Sequence, residues 1–185
     1  MRVERVEQPV IFDSDCLSAF AAFSDGIKII KETLGDIWTS SHAIGEISEG
    51  PDNVYLSVRS AEKSSTLGVY KIRAGGPAME LFRELTDPKR KPVMGDGEAA
   101  AIALVSVMGG TVASNNLRDI KGYCVDNRIQ FICSDDILCL AVQRRVINSR
   151  RASLMWDTMK KKRFAILPKY DFREALRRFV NAEDR

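Results

Sequence analysis

Short apolar runs alternate along this chain with stretches whose apolar residues recur at helical intervals. Pro9-Val10-Ile11-Phe12 is an apolar run that breaks off at Asp13-Ser14-Asp15, and it reads as a strand. Cys16 to Phe23 reads as a short helix and Asp25 to Leu34 as another, with Ile27, Ile30 and Leu34 at helical spacing. Asp36-Ile37-Trp38 predicts a brief second strand, and Thr39-Ser40-Ser41 offers caps for a helix running to about Ser48. From Pro51 to Lys91 the pattern gives a helix over Asn53 to Lys63, a strand near Val69 to Ile72 and a helix opened by Pro77. That stretch reads as cover for the sheet or for a site.

Gly95-Asp96-Gly97-Glu98 is a glycine-bounded turn feeding a helix with the apolar stripe Ala101, Leu104, Val105 and Met108. Gly110 to Ser114 predicts a strand ending in Asn115-Asn116, followed by a helix from about Leu117 to Asn127. Ile129 to Cys133 predicts another strand, ending at Ser134-Asp135-Asp136, which read as caps for a helix from Ile137 to Arg145. Such alternation implies an α/β fold with a parallel sheet, in which successive strand ends converge on one edge.

Polar residues at those strand ends therefore matter most. In an open parallel sheet, ligands gather outside the carboxyl ends of the strands, which is where Asp13 and Asp15 fall. Either acid could instead cap the helix that follows. Glu98 lies three residues before Ala101, on the inward stripe of its helix. A carboxylate there is costly unless it is paired, hydrogen-bonded or metal-bound, so it calls for a partner.

With 185 residues and 45% hydrophobic content, the chain is long enough for one well-packed core, and a single domain over 1–185 is expected. No apolar run approaches the length that crosses a bilayer, and the charged N-terminal stretch lacks a signal-type apolar segment. A cytoplasmic protein without membrane contact is the expectation. Cys16, Cys124, Cys133 and Cys139 have no metal-ligand spacing and read as reduced, buried thiols. His42 has no triad signature around it and reads as a helix-surface or satisfied residue. Charge is divided unevenly: residues 143–185 carry 13 Lys/Arg and 5 Asp/Glu, a net of +8, and the remainder a net of −5. Lys160-Lys161-Lys162-Arg163 is thus a nucleic-acid contact or a solvated helix end.

Four segments resemble the PIN-domain family of metal-dependent nucleases, which includes ribonuclease toxins of toxin–antitoxin pairs. They are Ile11-Phe12-Asp13-Ser14-Asp15-Cys16-Leu17, the stretch from Ile37-Trp38-Thr39-Ser40 to Glu46, Gly97-Glu98-Ala99-Ala100-Ala101-Ile102-Ala103-Leu104, and Val112-Ala113-Ser114-Asn115-Asn116-Leu117-Arg118-Asp119. The resemblance covers most of 9–147 and leaves about 148–185 as a basic helical extension. It implies a three-layer sandwich whose central parallel sheet has four or five short strands flanked by helices. It also implies Asp13, Glu46, Glu98 and Asp119 as catalytic acids, with Asp13, Glu98, Asp119 and Asn116 facing a metal. Many members carry Asp where this chain has Asn115-Asn116.

If those four acids meet, their repulsion requires a cation, and hard oxygen ligands suit Mg²⁺ or Mn²⁺. A bound metal would activate water for phosphodiester hydrolysis with no covalent enzyme intermediate. The resemblance implies an RNA substrate, a homodimer and an antitoxin partner, and Arg118 together with the charged tail residues Lys160, Lys161, Lys162 and Arg163 are the candidate cations for the strand. Two other readings stay open: a non-catalytic PIN scaffold binding RNA or protein, and a haloacid-dehalogenase-like phosphatase built on Asp13-Ser14-Asp15 and Ser134-Asp135-Asp136.

Overall fold

A computed structural model describes residues 6–91, 93–162 and 167–181. The first strand, β1 (Val10–Phe12), is wholly buried, as expected of a central parallel strand covered on both faces. Helices α1 (Ser14–Ala21) and α2 (Gly26–Leu34) follow, then β2 (Ile37–Ser40), α3 (Ser41–Ser48) and α4 (Asp52–Lys63). After β3 (Gly68–Tyr70) come α5 (Pro77–Leu85) and α6 (Asp96–Met108), then β4 (Thr111–Ala113), α7 (Leu117–Asp126), β5 (Gln130–Ile132) and α8 (Ser134–Gln143). Two further helices, α9 (Ser149–Lys162) and α10 (Phe172–Val180), close the described chain.

All strands pair in parallel in the order β3-β2-β1-β4-β5. Successive side chains of a strand point to opposite faces, so the sheet divides the interior. Val10 and Phe12 enter one core with α1, α2, α8, α9 and α10, while Ile11 and Val112 enter a second beneath α6 and α7. The result is an α/β fold with helices on both faces of one five-stranded parallel sheet. The basic C-terminal helices belong to it: Trp156, Met155, Phe172 and Ala175 are buried in the first core.

The order of the strands sets where a site can form. The chain runs outward from β1 to β2 and β3, then returns to β4 on the other side of β1. Connections on the two sides of β1 therefore diverge, leaving a crevice outside the carboxyl ends of β1 and β4. Asp13 follows β1 and Ser114 follows β4, so both stand at that crevice.

Several predicted element bounds shift. The helix expected from Ile137 to Arg145 starts at Ser134, because Cys133 is its N-cap and Asp136 reaches back to the Cys133 N–H at 3.0 Å. Asp135 and Asp136 are thus first-turn residues and not the cap. The stripe assigned to α6 also fails at its end: Met108 is 40% exposed, beside Gly109, whose φ of +77° terminates the helix. Before that point α6 is buried nearly all round, and its run Ala99-Ala100-Ala101 lets it pack closely between the sheet and its helical neighbours. All four cysteines are buried as thiols, and His42 packs its ring 4.4 Å from that of Phe82. Among the described residues, no helix is long and apolar enough to cross a membrane.

Candidate functional site

Asp13 has both roles that its position allows. Its Oδ1 caps α1 by accepting from the Cys16 N–H at 2.7 Å, while Oδ2 is buried with no hydrogen-bond partner. The residue is 1% exposed. Burial holds the carboxyl well above its ordinary pKa; the Ser114 hydroxyl, near but outside hydrogen-bond geometry, and the Cys16 N–H pull the other way, and the charges of Glu98 and Asp15 raise it further. A buried carboxylate oxygen left without a donor is a costly arrangement that a cation would relieve.

The other acids come from three helices. Ser40 caps α3 by accepting from the Ala43 N–H, which sets the helix so that Glu46 faces the start of α6. Glu46 accepts from the Gly97 N–H at 3.0 Å through one oxygen and from the Ser14 hydroxyl through the other. Glu98, in the first turn of α6, accepts from Asn116 Nδ2 at 2.9 Å. The same Nδ2 donates to Asp119 at 2.7 Å, and Asp119 also takes Arg118 Nε at 3.0 Å. That Arg118 bond is the first cause of a lowered Asp119 pKa.

Asp13, Glu46, Glu98 and Asp119 therefore stand around one crevice, but they do not converge on a point. Among the described residues, no three of them bring carboxylate oxygens within 4.8 Å of one another; Cys133, Asp135 and Asp136 do. That buried trio is accounted for by the α8 capping box and by the Tyr170 hydroxyl, which donates to Asp135. The wider spacing of the crevice acids suits a cation that keeps much of its water, as Mg²⁺ does. Asn116 departs from its expected role. It presents Nδ2 to Glu98 and Asp119, a donor between two carboxylates, where a metal ligand would present its oxygen.

Asp15 belongs to the crevice too, beyond the four acids that the resemblance singles out. Burial, then the charges of Glu98 and Glu46, pushes its pKa up to about 6. Its two-residue spacing from Asp13 in Asp13-Ser14-Asp15 was the available signal. Ser14, which ties Glu46 to α1, was also missed.

Two glycines make room for these carboxylates. A Cβ on Gly95 would collide with a Glu98 oxygen, and one on Gly97 would lie 2.5 Å from Glu46 Oε2 and 3.0 Å from Ser14 Oγ. The closest atoms in the way are side-chain tips, with the Ser14 backbone N behind them at 3.2 Å, so Gly97→Ala should fold after a shift of a few tenths of an ångström between α1 and α6. Its expected effect is to displace Glu46, lowering any metal-dependent activity about 10-fold or more while the chain still melts cooperatively. Normal activity in that variant would remove Glu46 from the site.

The predicted cations divide. Lys160 is a structural tie, donating to the Tyr170 carbonyl at 3.1 Å and lying 3.3 Å from Asp157, with the Trp156 ring beneath it. Lys161 is exposed and Arg118 is 79% exposed. Arg163 and the Lys162 side chain lie outside the described residues. Set against known proteins, the chain matches no family model, no curated protein and no solved structure.

Proposed function

We propose that this chain is a metal-dependent ribonuclease of the PIN type, with its hydrolytic site in the crevice between β1 and β4. The observation that carries the reading is Asp13: a buried carboxylate with one oxygen unpartnered, at the topological switch point, facing other acids. Asp13 and Glu98 would hold Mg²⁺ or Mn²⁺, with Asp119 and Asp15 at the rim. When bound, the cation would supply a water of lowered pKa and offset charge on the phosphoryl oxygens. The chain's own groups orient what the cation does not. Ser14 and the Gly97 N–H fix Glu46, Asn116 fixes Glu98 and Asp119, and Arg118 stands beside Asp119 as a cation for a phosphate. The test is a Mg²⁺ and Mn²⁺ titration with cleavage of labelled single-stranded RNA as readout. No cleavage at saturating metal sinks the reading.

Asn116 supports a second reading, a non-catalytic PIN scaffold. Its amide already bridges two of the acids, as a neutral substitute for a cation. RNA binding that is indifferent to Mg²⁺, with no cleavage, would favour the scaffold. The phosphatase alternative loses support, since Asp135 and Asp136 are engaged by Tyr170 and by the α8 cap. A toxin role with an antitoxin, and a homodimer, rest on the resemblance; light scattering of the purified chain tests the dimer directly.

Strand binding falls to exposed cations. Lys161, Lys169 and Arg173 are exposed on the C-terminal helices and the segment between them, whereas Lys160 is engaged. Replacing Lys161, Lys169 and Arg173 with Gln should reduce the slope of log K against log salt by about 0.7 per lost phosphate contact on single strands. Lys160→Gln should instead lower the melting temperature. An unchanged salt slope in the triple variant would show that the basic tail does not touch RNA.

A further inference from the structure

A cavity of about 220 Å³ opens beside the acids and shares Asn116 with them. Its walls, mostly apolar, come from Leu117 and Arg118 at the start of α7, Cys133 and Asp135 at the start of α8, Asn115, and Pro168 from the segment leading to α10. A larger recess of about 310 Å³ lies at the amino end of the sheet, near Gly109 and Gly110, away from the acids.

Asn115 makes the smaller cavity informative. It is 6% exposed, its Oδ1 accepts from the Ser134 N–H at 3.0 Å, and its Nδ2 has no partner. A buried amide donor without an acceptor is uncommon in native proteins and points to an absent ligand atom. That atom must be an acceptor. The occupant itself is not an anion, because Asp135 lies in the wall and Glu98 and Asp119 are held by the adjoining Asn116. A neutral, flat ring suits apolar walls bearing a guanidinium, which stacks on aromatic faces.

We propose that this cavity seats one nucleobase of the RNA strand, next to the phosphodiester held at the acids. A carbonyl oxygen of the base accepts from Asn115 Nδ2, and the ring lies against Leu117, Pro168 and Arg118. Uracil, cytosine and guanine carry such a carbonyl and adenine does not, so Asn115 disfavours adenine at this position. The ligand class rests on the ribonuclease reading; the cavity and its donor do not.

Amide NMR of the full chain in EDTA tests this without cleavage, with uridine 5′-monophosphate, adenosine 5′-monophosphate and ribose 5-phosphate as probes. The uridine nucleotide should shift the Asn115 side-chain NH₂ and the amides of Leu117, Arg118 and Ser134, binding roughly 5- to 10-fold tighter than the adenosine nucleotide, the worth of one neutral hydrogen bond. Ribose 5-phosphate, whose phosphate can reach Arg118, should leave the Asn115, Leu117 and Ser134 resonances in place. Pro168→Trp should weaken uridine binding about 10-fold or more by filling the cavity, and Leu117→Trp serves if that variant misfolds. Equal binding of the two nucleotides, equal shifts from ribose 5-phosphate, or unaffected binding in the filled variants overturns the proposal. Uridine binding here without Mg²⁺-dependent cleavage would leave the base site standing and remove the nuclease. Cleavage without base discrimination would do the reverse.

Discussion

Asp13→Asn is expected to cut Mg²⁺-dependent RNA cleavage about 100-fold or more while leaving the melting temperature at pH 7 equal to or above that of the unaltered chain. The two halves of this result come from the two oxygens. Oδ1 caps α1 through the Cys16 N–H, and asparagine keeps an oxygen for that bond. Oδ2 is buried without a donor, so ionising it in the metal-free fold is unfavourable, and an uncharged amide relieves that penalty. Partners of metal ligands are already worth 10- to 100-fold, and a ligand should be worth at least as much. Asp13→Ala is the contrasting variant: it loses the cap as well and should cost about 1 kcal/mol of stability. Undiminished cleavage in Asp13→Asn would show that Asp13 only caps the helix. A large fall in its melting temperature would show that the charge is structural.

Much of this arrangement was readable from local pattern. The apolar run Val10-Ile11-Phe12 ending at Asp13, and the Gly97-Glu98 entry to an alanine-rich helix, define a buried strand and a close-packed helix, and the fold has both. What escaped depended on contacts between distant segments. The start of α8 was misplaced because its cap is a cysteine, outside the usual Ser/Thr/Asp/Asn set, with Asp136 closing the capping box. Asp15 stands at a strand end in the sequence but reads equally as a helix cap, until α3 and α6 bring Glu46 and Glu98 near it. Lys160 looks like part of a solvated cationic run, yet the chain folds back so that the Tyr170 carbonyl meets its ammonium group. Asn116 could be placed near the metal-facing acids from sequence, but which end of its amide faces them depends on the donors and acceptors around it.

Without metal, the chain should lose stability as pH rises from about 4 to 7, and added Mg²⁺ should restore more of it the higher the pH. The sign follows from the raised acids. Asp15 titrates near 6 in the fold against 3.8 for the ordinary group, and Asp13 is raised as well. Below about 4 these acids are protonated in both states and their contribution is fully present. As pH rises the unfolded chain ionises first, so stability falls until the folded pKa is passed. Asp119 and Glu174 are lowered, Glu174 to about 2 by its hydrogen bonds to Arg177 and Arg178, and they lose stability only as pH falls below about 4. The window from 4 to 7 therefore reports on the crevice. Asp15 is partly exposed, so its shift should be discounted for solvent to ~1 kcal/mol, a few degrees of melting temperature for a chain of this size. Metal binds the ionised carboxylates, so its stabilisation should grow across the same window. Calorimetry in EDTA and in saturating Mg²⁺ at pH 4, 5, 6 and 7 gives both curves, and Asp15→Asn should flatten the EDTA curve. A melting temperature in EDTA that holds or climbs from pH 4 to 7, with a constant gain from Mg²⁺, would mean that the acids around Asp13 form no cation site.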